Sequence, residues 1–153
     1  MGPGVRLQER AVSTLTLFAD TSAWSLVLRR DQPADAPVVR ALVRALETGE
    51  RLVTTGLVLQ ELLQGFSGPK AQEQIVDRFS AIPLVVPDRE DHVAAAALRN
   101  QCRKKGVQVG TIDALLAQLC IRHELRMLTT DADFIHIARH TELLLWEGAG
   151  LNG

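Results

Sequence analysis

An α/β fold is expected, three layers deep (α/β/α) around a mainly parallel sheet of about five strands. Two observations predict it. Short β-prone apolar runs alternate with longer segments of helical periodicity along the whole chain, the pattern of a parallel sheet covered by helices. Four acidic residues, Asp20, Glu61, Asp113 and Asp131, also stand at or just beyond the ends of such runs. Ligand sites in these sheets form at the carboxyl ends of strands, near a topological switch point.

The opening strand is Thr14-Leu-Thr-Leu-Phe-Ala19, ending at Asp20. Asp20-Thr-Ser22 then offers capping side chains for a helix through Trp24, Leu26, Val27 and Leu28. After a loop with Pro33, a second helix starts near Pro37, with Val38, Val39, Leu42, Val43 and Leu46 at helical spacing and Gly49 as its stop. Leu52–Thr55 is the second strand, and Gly56 opens the helix that carries Glu61. Pro69 starts a further helix reaching about Ala81. Leu84-Val-Val86, closed by Pro87, reads as the third strand. Asp88 caps a long helix with an alanine-rich centre, ended by Gly106. Val107–Gly110 leads to the apolar helix begun by Thr111 and Asp113. Arg126–Thr130 is the fourth strand, ending at Asp131. A short helix with Phe134, Ile135 and Ile137 follows, and Glu142–Trp146 closes as the fifth strand. One domain is expected over residues 14–147, between a flexible leader (1–13) and a flexible tail (148–153).

The bulk numbers bound the function. The chain has 153 residues, 46% of them apolar and 23% charged, with a formal net charge of −1. Such a molecule carries no global field that attracts nucleic acid, so any basic surface is local. Cys102 and Cys120 lack CxxC spacing and fit two buried thiols in a reduced, cytoplasmic protein. No apolar run approaches the roughly 20 residues that span a bilayer.

Most polar residues have ordinary explanations. Asp20, Asp113 and Asp131 each suit a helix start or turn. Glu61 is harder to explain that way, because it shares a helix side with Leu57 and Val58. That face should be partly buried, and a carboxylate there needs an arginine partner or a metal. His136 and His140 stand four apart, but no third nitrogen or sulfur ligand lies near them for zinc. Trp24 and Trp146 suit core or interface positions. Arg99, Arg103, Lys104 and Lys105 form a basic cluster at a helix end, where the helix dipole favours cations; phosphate contact is the other reading.

Taken together and in order, these segments resemble the PIN-domain ribonucleases, and among them the VapC toxins of toxin–antitoxin pairs. The resemblance rests on Asp20-Thr-Ser22 after a strand, Val58-Leu-Gln-Glu61-Leu-Leu after Thr54-Thr55, Gly110-Thr-Ile-Asp113-Ala-Leu-Leu-Ala, and Leu128-Thr-Thr-Asp131-Ala-Asp133-Phe134. It spans roughly Leu15 to Trp146. It implies a PIN-like fold and hydrolysis of RNA phosphodiester bonds with 3′-hydroxyl and 5′-phosphate products. It also implies Mg²⁺ or Mn²⁺ on Asp20, Glu61, Asp113 and Asp131, a homodimer, and a VapB-type antitoxin that sets a basic side chain at the acidic pocket. Asp20 and Asp113 would hold the ion directly. Asp133 is a second acid in the last motif, so Asp131, Asp133 or both complete the ligand set. Thr21, Ser22, Thr111 and Thr129 are candidates for hydrogen bonds around the ligands.

Rival classes fit the residues less well. Asp131-Ala-Asp133 imitates the nucleophile motif of phosphoaspartyl phosphatases, but too little chain follows it for the rest of such a site. A non-catalytic PIN-like interaction module is the alternative to the nuclease, and the presence of all four acids argues against it.

Overall fold

The computed structural model describes residues 15–29 and 35–147. The leader over 1–13, Thr14, the loop residue Pro33 and the tail over 148–153 lie outside them. The elements run β1 (Leu17–Ala19), α1 (Thr21–Leu28), α2 (Pro37–Thr48), β2 (Leu52–Val53), α3 (Gly56–Gly65), α4 (Pro69–Phe79), α5 (Arg89–Lys104), α6 (Thr111–Arg122), β3 (Arg126–Leu128), α7 (Ala132–His140) and β4 (Leu144–Leu145).

The strands form one parallel sheet in the order β2-β1-β3-β4, with Leu17 level with Leu52 on one side and with Arg126 on the other. All three residues of β1 are buried. A central strand covered on both faces has to be apolar throughout, which the run Leu17-Phe-Ala19 satisfies. The chain leaves β1 toward β2 and later returns past β1 to reach β3, so the switch point of the sheet lies between β1 and β3.

Four strands form among the described residues, against about five expected. The difference is Leu84–Val86, which contributes a single parallel bridge between Leu84 and Thr54. Thr54 donates its N–H to Pro83 O at 3.0 Å and accepts from Val85 N at 2.7 Å. Pro83 and Pro87 flank the segment and have no N–H to donate, so the ladder stops there. β2, β3 and β4 are likewise shorter than their apolar runs suggested.

The helix boundaries follow local chemistry. Asp20 and Asp88 cap α1 and α5 with their side chains, Pro37 and Pro69 occupy the first turns of α2 and α4, and Gly49 closes α2 at φ 73°. That left-handed conformation suits glycine. The core joins both sides of the chain: fully buried Trp24 of α1 meets Phe79 of α4 with ring centroids 4.7 Å apart and planes tilted by 45°. Among the described residues, no helix is long and apolar enough to cross a membrane.

Candidate metal centre

β1 and β3 are adjacent, so the residues that follow them meet at the switch point. Asp20 continues the β1 ladder by one step, donating its N–H to Leu128 O at 3.1 Å. Its side chain caps α1, and its charge adds to the field at Asp113 without joining the closest group of acids. Oδ1 accepts from Ala23 N at 3.0 Å and from Ser22 Oγ at 2.7 Å, and Oδ2 accepts from Thr129 Oγ1 at 2.6 Å. The cap explanation therefore holds for Asp20 without excluding a second role.

Ser22 and Thr129 also fasten the end of β3. Ser22 Oγ accepts from Thr130 N at 2.9 Å, and Thr129 Oγ1 accepts from Asp131 N at 3.0 Å. Each hydroxyl has one proton, and both protons go to Asp20. The 3.3 Å approach of the two hydroxyls then adds little. Asp131 in turn caps α7, accepting from Asp133 N at 2.9 Å through Oδ1. Its Oδ2 remains for a ligand.

Asp113 comes from a separate helix. The cap position of α6 is Gly110, without a side-chain bond, and Asp113 lies in the first turn. Its carboxylate makes no side-chain hydrogen bond among the described residues, and it stands with Asp131 and Asp133 so that one oxygen of each lies within 4.8 Å of the others. No other group of three or more potential ligands this close occurs among the described residues, and this one contains no histidine. Both acids of the last motif therefore face Asp113. Of the four hydroxyls considered from the sequence, Thr21, Ser22 and Thr129 hold site carboxylates. Thr111 is exposed at the start of α6 and holds none.

Glu61 reaches the site by a different route from the one expected. The face it shares with Leu57 and Val58 suggested partial burial, but Glu61 is exposed, while Val58 and Leu62 turn inward. An i+3 neighbour of a buried residue lies about 60° from it around the helix, enough to carry Glu61 past the rim of the buried stripe. Its placement rests on Thr21, whose Oγ1 donates to Oε1 at 2.7 Å. The competing arginine partner is absent: none of the ion pairs among the described residues involves Asp20, Glu61, Asp113, Asp131 or Asp133.

The electrostatics follow from this crowding. Burial pushes the Asp113 carboxyl up to about 6, and the charges of Asp131, Asp133, Glu61 and Asp20 push the same way. Burial also raises Asp20, opposed by its bonds from Thr129, Ser22 and Ala23. Oxygen-only ligands, gathered without an internal cation, suit a hard divalent ion such as Mg²⁺ or Mn²⁺.

One buried acid lies outside the site. Asp91 is fully buried on α5, in reciprocal capping bonds with Asp88 and bonded to Arg122. It went unnoticed in the sequence, although Asp88-Arg-Glu-Asp91 has the spacing of a capping box.

The PIN domain family model matches residues 17–140. A VapC ribonuclease of Mycobacterium bovis is 34% identical over 129 residues, which cover 83% of this chain and 95% of that protein. Ribonuclease VapC11 of Mycobacterium tuberculosis matches with the same figures. Among solved structures, VapBC2 from Rickettsia felis, bound to a promoter DNA fragment, superposes with a TM-score of 0.65 at 19% identity, covering 87% of this chain and 100% of that one. DNA-bound VapBC from Salmonella typhimurium gives a TM-score of 0.66 at 18% identity, with 86% and 97% covered.

Proposed function

The chain belongs to the PIN domain family, and from that premise we propose that it is a metal-dependent endoribonuclease, the toxin of a VapBC-type toxin–antitoxin pair. The observation that carries the metal dependence is the approach of Asp113, Asp131 and Asp133 to within 4.8 Å with no cation of the protein beside them. The identity to VapC ribonucleases supports RNA as the substrate.

A bound divalent ion would neutralise phosphate charge and make a water more acidic. The chain's own residues supply the rest. Asp20 is held by three hydrogen bonds, so its carboxylate has one orientation and costs no reordering when it takes up a ligand. Asp113 offers unencumbered oxygens, and Asp131 offers the oxygen its cap does not use. Asp133, exposed beside them, completes the set or serves a second ion. Glu61 is fixed at Oε1 by Thr21 and keeps Oε2 to accept a proton from the attacking water. We extend the reading to a cytoplasmic location, a homodimer and a VapB-type antitoxin, the last supported by the fold shared with VapBC complexes.

The purified chain should cleave RNA with Mg²⁺ or Mn²⁺ and stop when EDTA is added. Cleavage undiminished by EDTA would remove the metal from the account. Absence of metal binding in a calorimeter would favour the non-catalytic module instead.

A further inference from the structure

The basic end of α5 is not fully explained by the helix dipole. Arg103 and Lys104 lie in the last turn, where the dipole favours them. Arg99 lies a turn earlier, and its Nε donates to Val109 O at 2.7 Å. That bond ties α5 to the segment delivering Asp113 to the site. Gly110 follows Val109 and caps α6, and a Cβ built on it would stand 3.8 Å from Asp113 Oδ2.

A guanidinium has five N–H donors in a planar fork. Arg99 uses one, and neither it nor Arg103 has an acidic partner among the described residues, where the ion pairs use Arg40 and Arg122. Between Arg99 and Arg103 lies an open groove of about 550 Å³, floored by Val107–Gly110. Arg99 also borders a second hollow of about 460 Å³, shared with Thr111 and Ile112. The two exposed arginines thus flank a groove whose floor leads through Gly110 to Asp113.

We infer that Arg99 and Arg103 form a phosphate track, holding the backbone of single-stranded RNA beside the bond to be cut. The inference rests on the ribonuclease reading and adds a substrate-positioning surface to it. Five carboxylates repel a polyanion, so the approach needs local positive charge that the net charge of −1 does not supply. The Val109 bond orders the Arg99 side chain in advance and leaves both Nη groups free for a bidentate phosphate contact.

The test is binding of the full-length chain to a single-stranded RNA in EDTA, by fluorescence anisotropy over a range of salt. Each phosphate contact to a single strand contributes roughly 0.7 to the slope of log affinity against log salt. Arg103→Gln should lower the slope by about 0.7 and Arg99→Gln/Arg103→Gln by about 1.4, with weaker binding at low salt. The Arg103 side chain is exposed and makes no hydrogen bond among the described residues, so its replacement leaves the fold in place. Lys70→Gln, on α4, should leave the slope unchanged. An unchanged slope in the double variant, or an equal loss in Lys70→Gln, overturns the track. If the wild-type chain cleaves the same RNA with Mg²⁺, that result leaves the ribonuclease reading standing. If wild type does not cleave it, the ribonuclease reading fails, and the track fails with it.

Discussion

Thr129 donates its hydroxyl to Asp20 at 2.6 Å, joining the ends of β3 and β1 across 109 positions of sequence. The same oxygen accepts the N–H of Asp131, so one side chain sets the spacing of two site acids. Thr129→Val leaves the buried Asp20 carboxylate short of a donor, which costs about 1–3 kcal/mol. RNA cleavage should fall by roughly 10–100-fold, as when the outer partners of metal ligands are removed. Thr129→Ser keeps the hydroxyl and should stay close to wild type. Thermal unfolding and initial rates across a Mg²⁺ titration measure both effects.

Glu61 separates function from stability. It is exposed and bonded to Thr21 alone, so Glu61→Gln should change stability by no more than about 0.5 kcal/mol. Cleavage should drop by at least about 10²-fold if Oε2 takes a proton in the reaction. A large loss of stability in denaturant unfolding would contradict the exposed placement.

The metal-free protein should lose stability as pH rises. The folded pKa of Asp113 is about 6, against an ordinary value of 3.8. The folded chain therefore keeps a proton that the unfolded chain releases earlier. Stability from this group is fully present below about 3.8 and is lost as pH climbs through about 6, and the raised Asp20 acts with the same sign. The full shift corresponds to about 3 kcal/mol, which solvent screening of the half-exposed site reduces to about 1–2 kcal/mol. In EDTA, Asp113→Asn should melt above wild type at pH 7.5 and close to it at pH 4.5. Mg²⁺ should narrow the gap at pH 7.5 by stabilising wild type. An equal difference at both pH values would contradict the assigned shift.

The Asp91–Arg122 pair should behave in the opposite way to Glu61. Arg122 also reaches Asp88 Oδ2 at 3.3 Å. Arg122→Gln leaves the fully buried Asp91 without its cation, which should cost about 2–4 kcal/mol. Cleavage measured well below the melting temperature should be unchanged, since the pair touches none of the site acids.

The fold class and the positions of the candidate acids were more legible in the sequence than the lengths of the strands. Asp20 and Asp131 follow from strand ends, which a parallel sheet gathers at one edge, and Asp113 from the start of the helix that leads into β3. Glu61 was singled out for a burial it does not have: helical spacing identifies neighbours of buried residues but not the rim of the buried stripe. Leu84–Val86 looked like a strand because its side chains are apolar, while the flanking prolines decided how much ladder could form. Asp91 was missed because its partner Arg122 lies 31 residues away and on another helix, a distance that no local pattern spans. Arg99 was noticed only as charge, since its bond to Val109 depends on how α5 and α6 pack.

Asp113→Asn most directly tests the claim that these carboxylates form an RNA-cleaving metal centre. The substitution keeps the shape of the side chain and removes the charge. With Mg²⁺ present, and with circular dichroism matching wild type, the variant should leave RNA uncut and should bind the ion more weakly in a calorimeter. A folded Asp113→Asn chain that cleaves RNA at the wild-type rate would contradict the account.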